Sequence, residues 1–205
     1  DISMGKWGDM EEERLAEIFV EEMKPKPFFG VLYANEFPRA DQIDAKGWTQ
    51  LINDDDISRA MLKDGETISH AGERRIGNDI ARGGGNDTTW ILRSMNFAEV
   101  VSTSQSDNLN DTASRGLMYM QEFQVVSDNF FVDAIGVGGG VVDMMHAQLK
   151  KVRGINVGER AIEEARYVNK RAEAYWRVRE WLKRGGRLSN DERWYELCQI
   201  KYKPD

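Results

Sequence analysis

Apolar and polar residues alternate most clearly in the middle of the chain. Residues 74–80 have strand character, and residues 88–95 are rich in β-branched and aromatic side chains. A glycine-rich segment from Arg82 to Asp87 separates the two. Residues 97–103 have the same character. The pattern predicts three consecutive antiparallel strands, with the first two joined as a hairpin.

The second half of the chain alternates helical and strand-like segments. Apolar residues recur at helical spacing after capping residues or glycines, whereas two short apolar runs are typical of buried parallel strands. The predicted helices run from an Asp111–Thr112 cap to Phe123, over 141–151, over 162–184 and from an Asn190–Asp191 cap to about Ile200; the predicted strands are 130–135 and 152–157. The order βββαβαβα with a terminal helix predicts an α/β fold with a mixed five-stranded sheet flanked by helices.

The first 72 residues are patterned differently. They contain an acidic helix-like segment, a connector with two prolines and a long polar stretch in which Asp54–Asp56 are placed to begin a short helix. We expect residues 1–72 to be an N-terminal linker and wrapping segment, and residues 73–205 to form one domain. A chain of 205 residues with 40% hydrophobic and 31% charged residues is long enough for one sizeable core.

The amino-acid composition limits which structural features and metal sites the chain can form. No apolar run approaches the roughly 20 residues that a membrane helix needs, so we expect no membrane span. Cys198 is the single cysteine, which excludes an internal disulfide, and two histidines are too few for a His-rich zinc site. A metal would therefore be held by carboxylates, which favours magnesium, manganese or calcium.

Two aspartates stand in predicted strands, Asp79 near the end of the first and Asp133 in the fourth, which is otherwise apolar. A buried acid needs a cation or hydrogen-bond donors. If the first and fourth strands are neighbours, the two carboxylates come close enough to share two divalent ions roughly 4 Å apart, the arrangement that hydrolyses phosphodiesters. The alternative is that each aspartate only caps a loop.

The net charge of −7 argues against a protein that coats nucleic acid by bulk attraction, yet residues 166–187 carry eight basic side chains against two glutamates. At about 100° per residue, four of these side chains form one stripe on the predicted helix. The stripe comprises Arg166, Lys170, Arg177 and Arg184. It is either the solvated edge of a core helix or a surface that follows a phosphate backbone.

The glycine-rich segment from Gly136 to Gly140 connects a predicted strand to a predicted helix. Backbone N–H groups in such a turn can cradle phosphate, which would suit a nucleotide-binding α/β domain. The pattern is an imperfect dinucleotide fingerprint, because Val141 occupies the third glycine position. Close packing of the helix on the strand is the other interpretation.

Four stretches, in their order and spacing, resemble the nuclease domain of large terminase subunits of tailed bacteriophages. They read RIGNDIARGGGNDTT, VDAIGVGGGVVD, INVGERA and YVNKRAEAYWRVREWL, and the resemblance covers residues 36–202. It implies a ribonuclease H-like fold and metal-dependent cleavage of viral double-stranded DNA during genome packaging. Asp79 and Asp133 match the metal ligands of the first and fourth strands, which implies two Mg²⁺ or Mn²⁺ ions as cofactors.

The same resemblance implies double-stranded DNA, the terminase ATPase domain, the small terminase subunit and the portal as partners, in the host cell cytoplasm. This sequence contains no GxxxxGK[ST] motif, so it does not itself carry the phosphate-binding loop of the family's ATPase half. The family's third carboxylate is expected beyond Asp205, with Asp191, Glu192 and Glu196 as weaker substitutes. A non-catalytic docking module of the packaging motor remains a further interpretation.

Overall fold

A computed structural model describes residues 47–81, 87–105, 108–148 and 150–202. They fall into two compact units, one of residues 56–194 and the other of residues 47–55 with 195–202. The predicted helix-like segment and proline connector near the amino terminus, and residues 82–86 of the glycine-rich turn, lie outside the described residues. The division at residue 72 stays a prediction.

Eight strands and four α-helices are present in the described residues. The strands are β1 (Thr49–Gln50), β2 (Arg75–Asp79), β3 (Thr88–Arg93), β4 (Phe97–Ser104), β5 (Phe130–Asp133), β6 (Arg153–Ile155), β7 (Arg187–Leu188) and β8 (Lys201–Tyr202). The α-helices are α1 (Asp54–Ala60), α2 (Leu109–Glu122), α3 (Gly138–Ala147) and α4 (Lys170–Lys183), and 3₁₀ helices cover Ser127–Asn129 and Glu192–Gln199. None of these described helices is long and apolar enough to cross a membrane.

The main sheet has six strands in the order β6-β5-β2-β3-β4-β7. β2, β3 and β4 pair antiparallel, as predicted, whereas β5 pairs parallel to β2, β6 parallel to β5 and β7 parallel to β4. The predicted mixed α/β sheet is confirmed, including the neighbouring first and fourth strands. β7 adds a sixth strand, and the separate pair β1–β8 is antiparallel.

One face of the main sheet packs against α2 and α3. Ile76, Trp90 and Phe130 point into this core from three neighbouring strands, and Tyr119 of α2 and Met145 of α3 meet them there. Alternate residues therefore face the other way, and in β2 these are Arg75, Gly77 and Asp79, all with exposed surface. The charged side chains of β2 therefore lie on this second face, which is called the open face below.

The prediction of one helix over residues 162–184 is wrong in its first third, because α4 begins at Lys170. The Asn169 side chain caps it by accepting a hydrogen bond from the Ala172 N–H at 2.9 Å. The preceding segment is instead anchored by Glu173, which is 3% exposed and accepts from the Ile162 N–H at 2.6 Å. Ile162 and Val168 are therefore 78% and 85% exposed and do not extend the apolar face.

The other helix boundaries shift by less. α2 begins at Leu109 because the Asn108 side chain caps it by accepting from the Asn110 N–H, whereas the predicted cap was Asp111–Thr112. α3 spans Gly138–Ala147 instead of 141–151, since its first turn is built from the glycines themselves. The predicted terminal helix is a 3₁₀ helix over Glu192–Gln199.

Candidate active site

The parallel pairing of β2 with β5 determines where the two aspartates lie. Gly77 is opposite Phe131 and Asn78 is opposite Val132, so one step further along the same register Asp79 comes opposite Asp133. Both side chains follow the strand alternation onto the open face. The structure thus brings together two acids that are far apart in sequence, as the strand order predicted.

Local hydrogen bonds hold both acids at the strand ends. The buried Thr88 hydroxyl accepts from the Ala81 N–H at 3.1 Å and lies 3.3 Å from the Ala81 carbonyl, which closes the base of the hairpin just beyond Asp79. The Asp133 Oδ1 atom accepts from the Ile135 N–H at 3.0 Å, which turns the chain away from β5. Within the described residues, the second Asp133 oxygen accepts no hydrogen bond.

Two glycines of the turn that follows β5 have a structural explanation. A Cβ atom on Gly138 would lie 1.7 Å from the Asp133 carbonyl oxygen, so only glycine lets α3 start directly against the end of β5. Gly136 has a φ of +69°, a left-handed conformation that favours glycine. Close packing of the helix on the strand therefore accounts for Gly138, and the left-handed conformation accounts for Gly136. Phosphate binding by the turn stays a prediction.

The electrostatics of the acidic pair are those of two like charges. Asp79 keeps solvent access on the open face, yet partial burial raises the pKa of its carboxyl, and the charge of Asp133 raises this pKa further. The backbone N–H of Ile80 opposes the shift. Within the described part of the chain, neither aspartate is ion-paired with a lysine or arginine.

These donors fit a hard divalent cation. Carboxylate oxygens are the ligands that Mg²⁺ and Mn²⁺ prefer, and Mg²⁺ is often held by one or two carboxylates with water and phosphate oxygens completing the shell. A bound cation would also remove the repulsion between Asp79 and Asp133. No cluster of three or more His, Cys, Asp or Glu side chains suited to a metal occurs in the described ranges.

The predicted substitutes for a third acid do not join this pair in the described residues. Asp191 is bonded to the Arg193 guanidinium, at 2.8 Å to Nε, and this hydrogen bond lowers the pKa of Asp191. Its partner is therefore internal. Glu192 and Glu196 belong to the 3₁₀ helix Glu192–Gln199.

All four cations of the predicted stripe have glutamate partners. Arg166 lies before α4 and contacts Glu163 at 3.1 Å, and Arg184 caps the end of α4 and contacts Glu180 at 3.3 Å. Lys170 is 2.5 Å from Glu159, and Arg177 is 2.5 Å from Glu173. Each basic side chain of the stripe therefore forms an ion pair within the protein. Binding of DNA by the stripe stays a prediction.

Sequence reasoning missed the basic residues on the same open face as the acids. Arg75 begins β2, and the antiparallel register places it opposite Arg93 of β3. The signal was present in the period-two pattern of Arg75, Gly77 and Asp79, which puts an arginine and an aspartate on one face at opposite ends of one strand.

No protein-family model matches the sequence, and no curated protein matches it significantly. Solved structures share its fold. The nuclease domain of the large terminase subunit gp2 of bacterial virus Sf6 superposes with a TM-score of 0.58 and 16% sequence identity, over 77% of this chain and 84% of that one. A variant of that domain with manganese and β-thujaplicinol gives 0.53 and 18% over 67% and 75%, and one with calcium gives 0.53 and 17% over the same shares. The predicted resemblance to terminase nuclease domains is confirmed at the level of the fold.

Proposed function

We propose that this chain is a metal-dependent endonuclease domain that cleaves double-stranded DNA during the packaging of a viral genome. The observation that carries the proposal is the pairing of Asp79 with Asp133 at the open ends of β2 and β5. The fold shared with the Sf6 gp2 nuclease domain supports it, as do the manganese and calcium in structures of that domain.

In this proposal Asp79 and Asp133 hold two divalent ions, Mg²⁺ or Mn²⁺, through their carboxylate oxygens. Such ions supply an activated water and stabilise the leaving oxygen of the phosphodiester. The protein supplies the placement: the Ile135 N–H fixes one oxygen of Asp133, and the Thr88 hydroxyl holds the chain that follows Asp79. Asp79 would hold the ions in its ionised form, because only a carboxylate is a good ligand.

The basic stripe would guide DNA by exchanging glutamate partners for phosphates. Exposed ion pairs are worth about 0–1 kcal/mol each, so they can be exchanged readily. The pairs that Arg166 and Arg184 form are exposed in this sense. Arg177 also has an exposed side chain, but its partner Glu173 is buried, so Arg177 would have to keep that contact while it reaches a phosphate. By resemblance we extend the proposal to the terminase ATPase domain, the small subunit and the portal as partners, in the host cell cytoplasm.

The test is nicking of supercoiled plasmid by the chain in Mn²⁺, compared with the variants Asp79→Asn and Asp133→Asn. We expect each variant to lose at least about 100-fold in rate, because altering even an outer-shell partner of a metal site costs roughly 10–100-fold. Asp143→Asn is the matched control, since Asp143 is an exposed acid on α3 outside the pair. It should cut at the wild-type rate.

Plasmid cutting that both variants retain would place catalysis elsewhere and refute the two-carboxylate site. A wild-type chain that binds DNA or a motor component but cuts no plasmid in Mn²⁺ or Mg²⁺ would instead favour the docking module. In that case Mn²⁺ should also leave the melting temperature unchanged.

A further inference from the structure

A cavity of about 640 Å³ opens at the amino end of β2, on the face that carries the acidic pair. Its lining contains three arginines, Arg75, Arg93 and Arg184, against one acid, Glu73. Its size lies within the range of about 300–1,000 Å³ that is typical of small-molecule sites. The cavity therefore combines room for a ligand with an excess of positive charge.

The cavity is built around Trp181 of α4. The Trp181 Nε1–H donates to the Met95 carbonyl at 2.7 Å, which ties the end of α4 to the turn between β3 and β4. A Cβ atom on Gly186 would lie 2.4 Å from the Trp181 ring, so the glycine backbone packs directly on the indole. The Arg93 guanidinium lies 5.1 Å from the ring centroid. The indole thus holds Arg93 in place.

Arg93 lacks the anionic partner that its neighbours have. Arg75 contacts Glu73 at 3.0 Å and Arg184 contacts Glu180 at 3.3 Å, whereas in the described residues Arg93 has neither a carboxylate within ion-pair distance nor a hydrogen-bond acceptor. Burial lowers the pKa of Arg93, and the charge of Arg75 lowers it further. A guanidinium with five N–H donors is here held beside another cation and left without an acceptor.

We propose that this cavity, named the arginine pocket for Arg75, Arg93 and Arg184, binds a backbone phosphate of the DNA that the acidic pair cleaves. The fork of a guanidinium matches two phosphate oxygens, and phosphate would neutralise the repulsion between Arg75 and Arg93. The choice of DNA as the phosphate source rests on the proposed function. A free phosphate compound has the same chemistry and is distinguished by the test.

Position along β2 sets the geometry of this contact. Arg75 and Asp79 lie on one face of one strand, four residues apart, which is about 13 Å at a rise of about 3.3 Å per residue. That length equals about four base-pair steps of B-form DNA. The arginine pocket would therefore grip the duplex at a fixed distance from the cleaved bond.

Binding is measured without cleavage, in EDTA, by fluorescence anisotropy of a labelled duplex of about 20 base pairs over a range of salt concentrations. We expect Arg93→Gln to bind about tenfold more weakly, since hydrogen bonds to charged groups are among the stronger ones, and to reduce the salt slope by about one. Arg184→Gln, at a side chain that is 79% exposed, should weaken binding in the same direction without endangering the fold.

Arg115→Gln is the matched control. Arg115 also lies over an indole, at 5.5 Å from the Trp90 ring, but Trp90 belongs to the core on the opposite face of the sheet. The control removes the same charge and the same kind of ring contact. It should bind the duplex with wild-type affinity and salt slope.

A second arm titrates inorganic pyrophosphate by calorimetry into the wild type and Arg93→Gln. If pyrophosphate binding requires Arg93 but duplex binding does not, the pocket serves a free phosphate compound and the DNA proposal is overturned. If neither ligand depends on Arg93, the pocket is not a phosphate site. Because no step uses catalysis, these outcomes are separate from loss of cutting in Asp79→Asn, which tests the nuclease proposal alone.

Discussion

The two ends of β2 differ in charge although they share one strand and one face. At the carboxyl end Asp79 meets Asp133, and at the amino end Arg75 meets Arg93. Each pair brings like charges together. In each pair, the pKa of one member shifts in the direction that favours its neutral form: the pKa of Asp79 rises and that of Arg93 falls. Such pairs oppose folding, so their presence at both ends favours ligands of opposite sign at the two ends.

The two ends also differ in how they are assembled. The basic pair lies across an antiparallel hairpin. Glu73 forms an ion pair with one arginine, and the Trp181 indole packs against the guanidinium of the other. The acidic pair lies across parallel strands, and backbone N–H groups support it, that of Ile80 at Asp79 and that of Ile135 at Asp133. The acidic end therefore depends more strongly on the exact packing of α3 behind it and on an added cation.

The largest expected effect comes from Gly138→Ala, which disturbs the acidic end alone. Its Cβ atom would overlap the Asp133 carbonyl, so we expect a loss of about 3 kcal/mol, or a fall of roughly 6–12 °C in melting temperature. Gly139→Ala is the control in the same turn, with only ordinary contact at 3.7 Å to the Ala134 carbonyl. It should be neutral or stabilising by up to about 1 kcal/mol. Equal melting temperatures for the two variants would contradict the packing explanation.

An effect of intermediate size should distinguish the two ends of β2, because we expect a cation to bind only at the acidic end. At ten times its dissociation constant, Mn²⁺ should stabilise the wild type by about 1.4 kcal/mol and raise the melting temperature by roughly 3–6 °C, an increase that EDTA reverses. Asp133→Asn should lose this increase because it removes one ligand, whereas Arg93→Gln should keep it. Thermal unfolding monitored by circular dichroism measures both. Retention by Asp133→Asn would show that the cation binds elsewhere.

The smallest expected effect is a pH dependence at Asp79, measured by urea unfolding in EDTA. Because the pKa of Asp79 is raised in the folded state, its contribution to the free energy of unfolding increases as the pH falls from above this pKa toward the ordinary value of about 3.9. Comparing the wild type with Asp79→Asn isolates this contribution from those of the other acids. Asp79→Asn lacks the ionised form, so at pH 7 it should be more stable, within about 0.5 kcal/mol. Its advantage should shrink at acidic pH. A wild type that is more stable than the variant at pH 7 would reverse the sign and refute the repulsion.

Much of the architecture followed from the sequence because its signals are local and periodic. Strand-like runs predicted β2, β3 and β4, and the short apolar run 130–135 predicted β5. The nearness of Asp79 and Asp133 then followed from strand order. Their roles, and those of the basic stripe, stay predictions that the experiments above test.

The features that were missed depend on contacts between distant parts of the chain. The start of α4 is set by Asn169 and by the bond from Ile162 to Glu173, and the helical period alone contains neither. β7 has only two residues, Arg187–Leu188, too few to show a period. Arg93 became a candidate only when the register placed it beside Arg75 and the fold brought Trp181 against it.

The parallel pairing of β2 with β5 also affects when the acidic pair can form during synthesis and folding of the chain. Residues of β2, β3 and β4 follow one another closely, whereas β5 joins β2 only after two further strands and α2 have been made. Contacts between distant segments require closure of the intervening loop, which costs chain entropy. Asp79 and Asp133 can therefore meet only after β5 has been synthesised and has paired with β2, so a growing chain holds no complete acidic pair before that step.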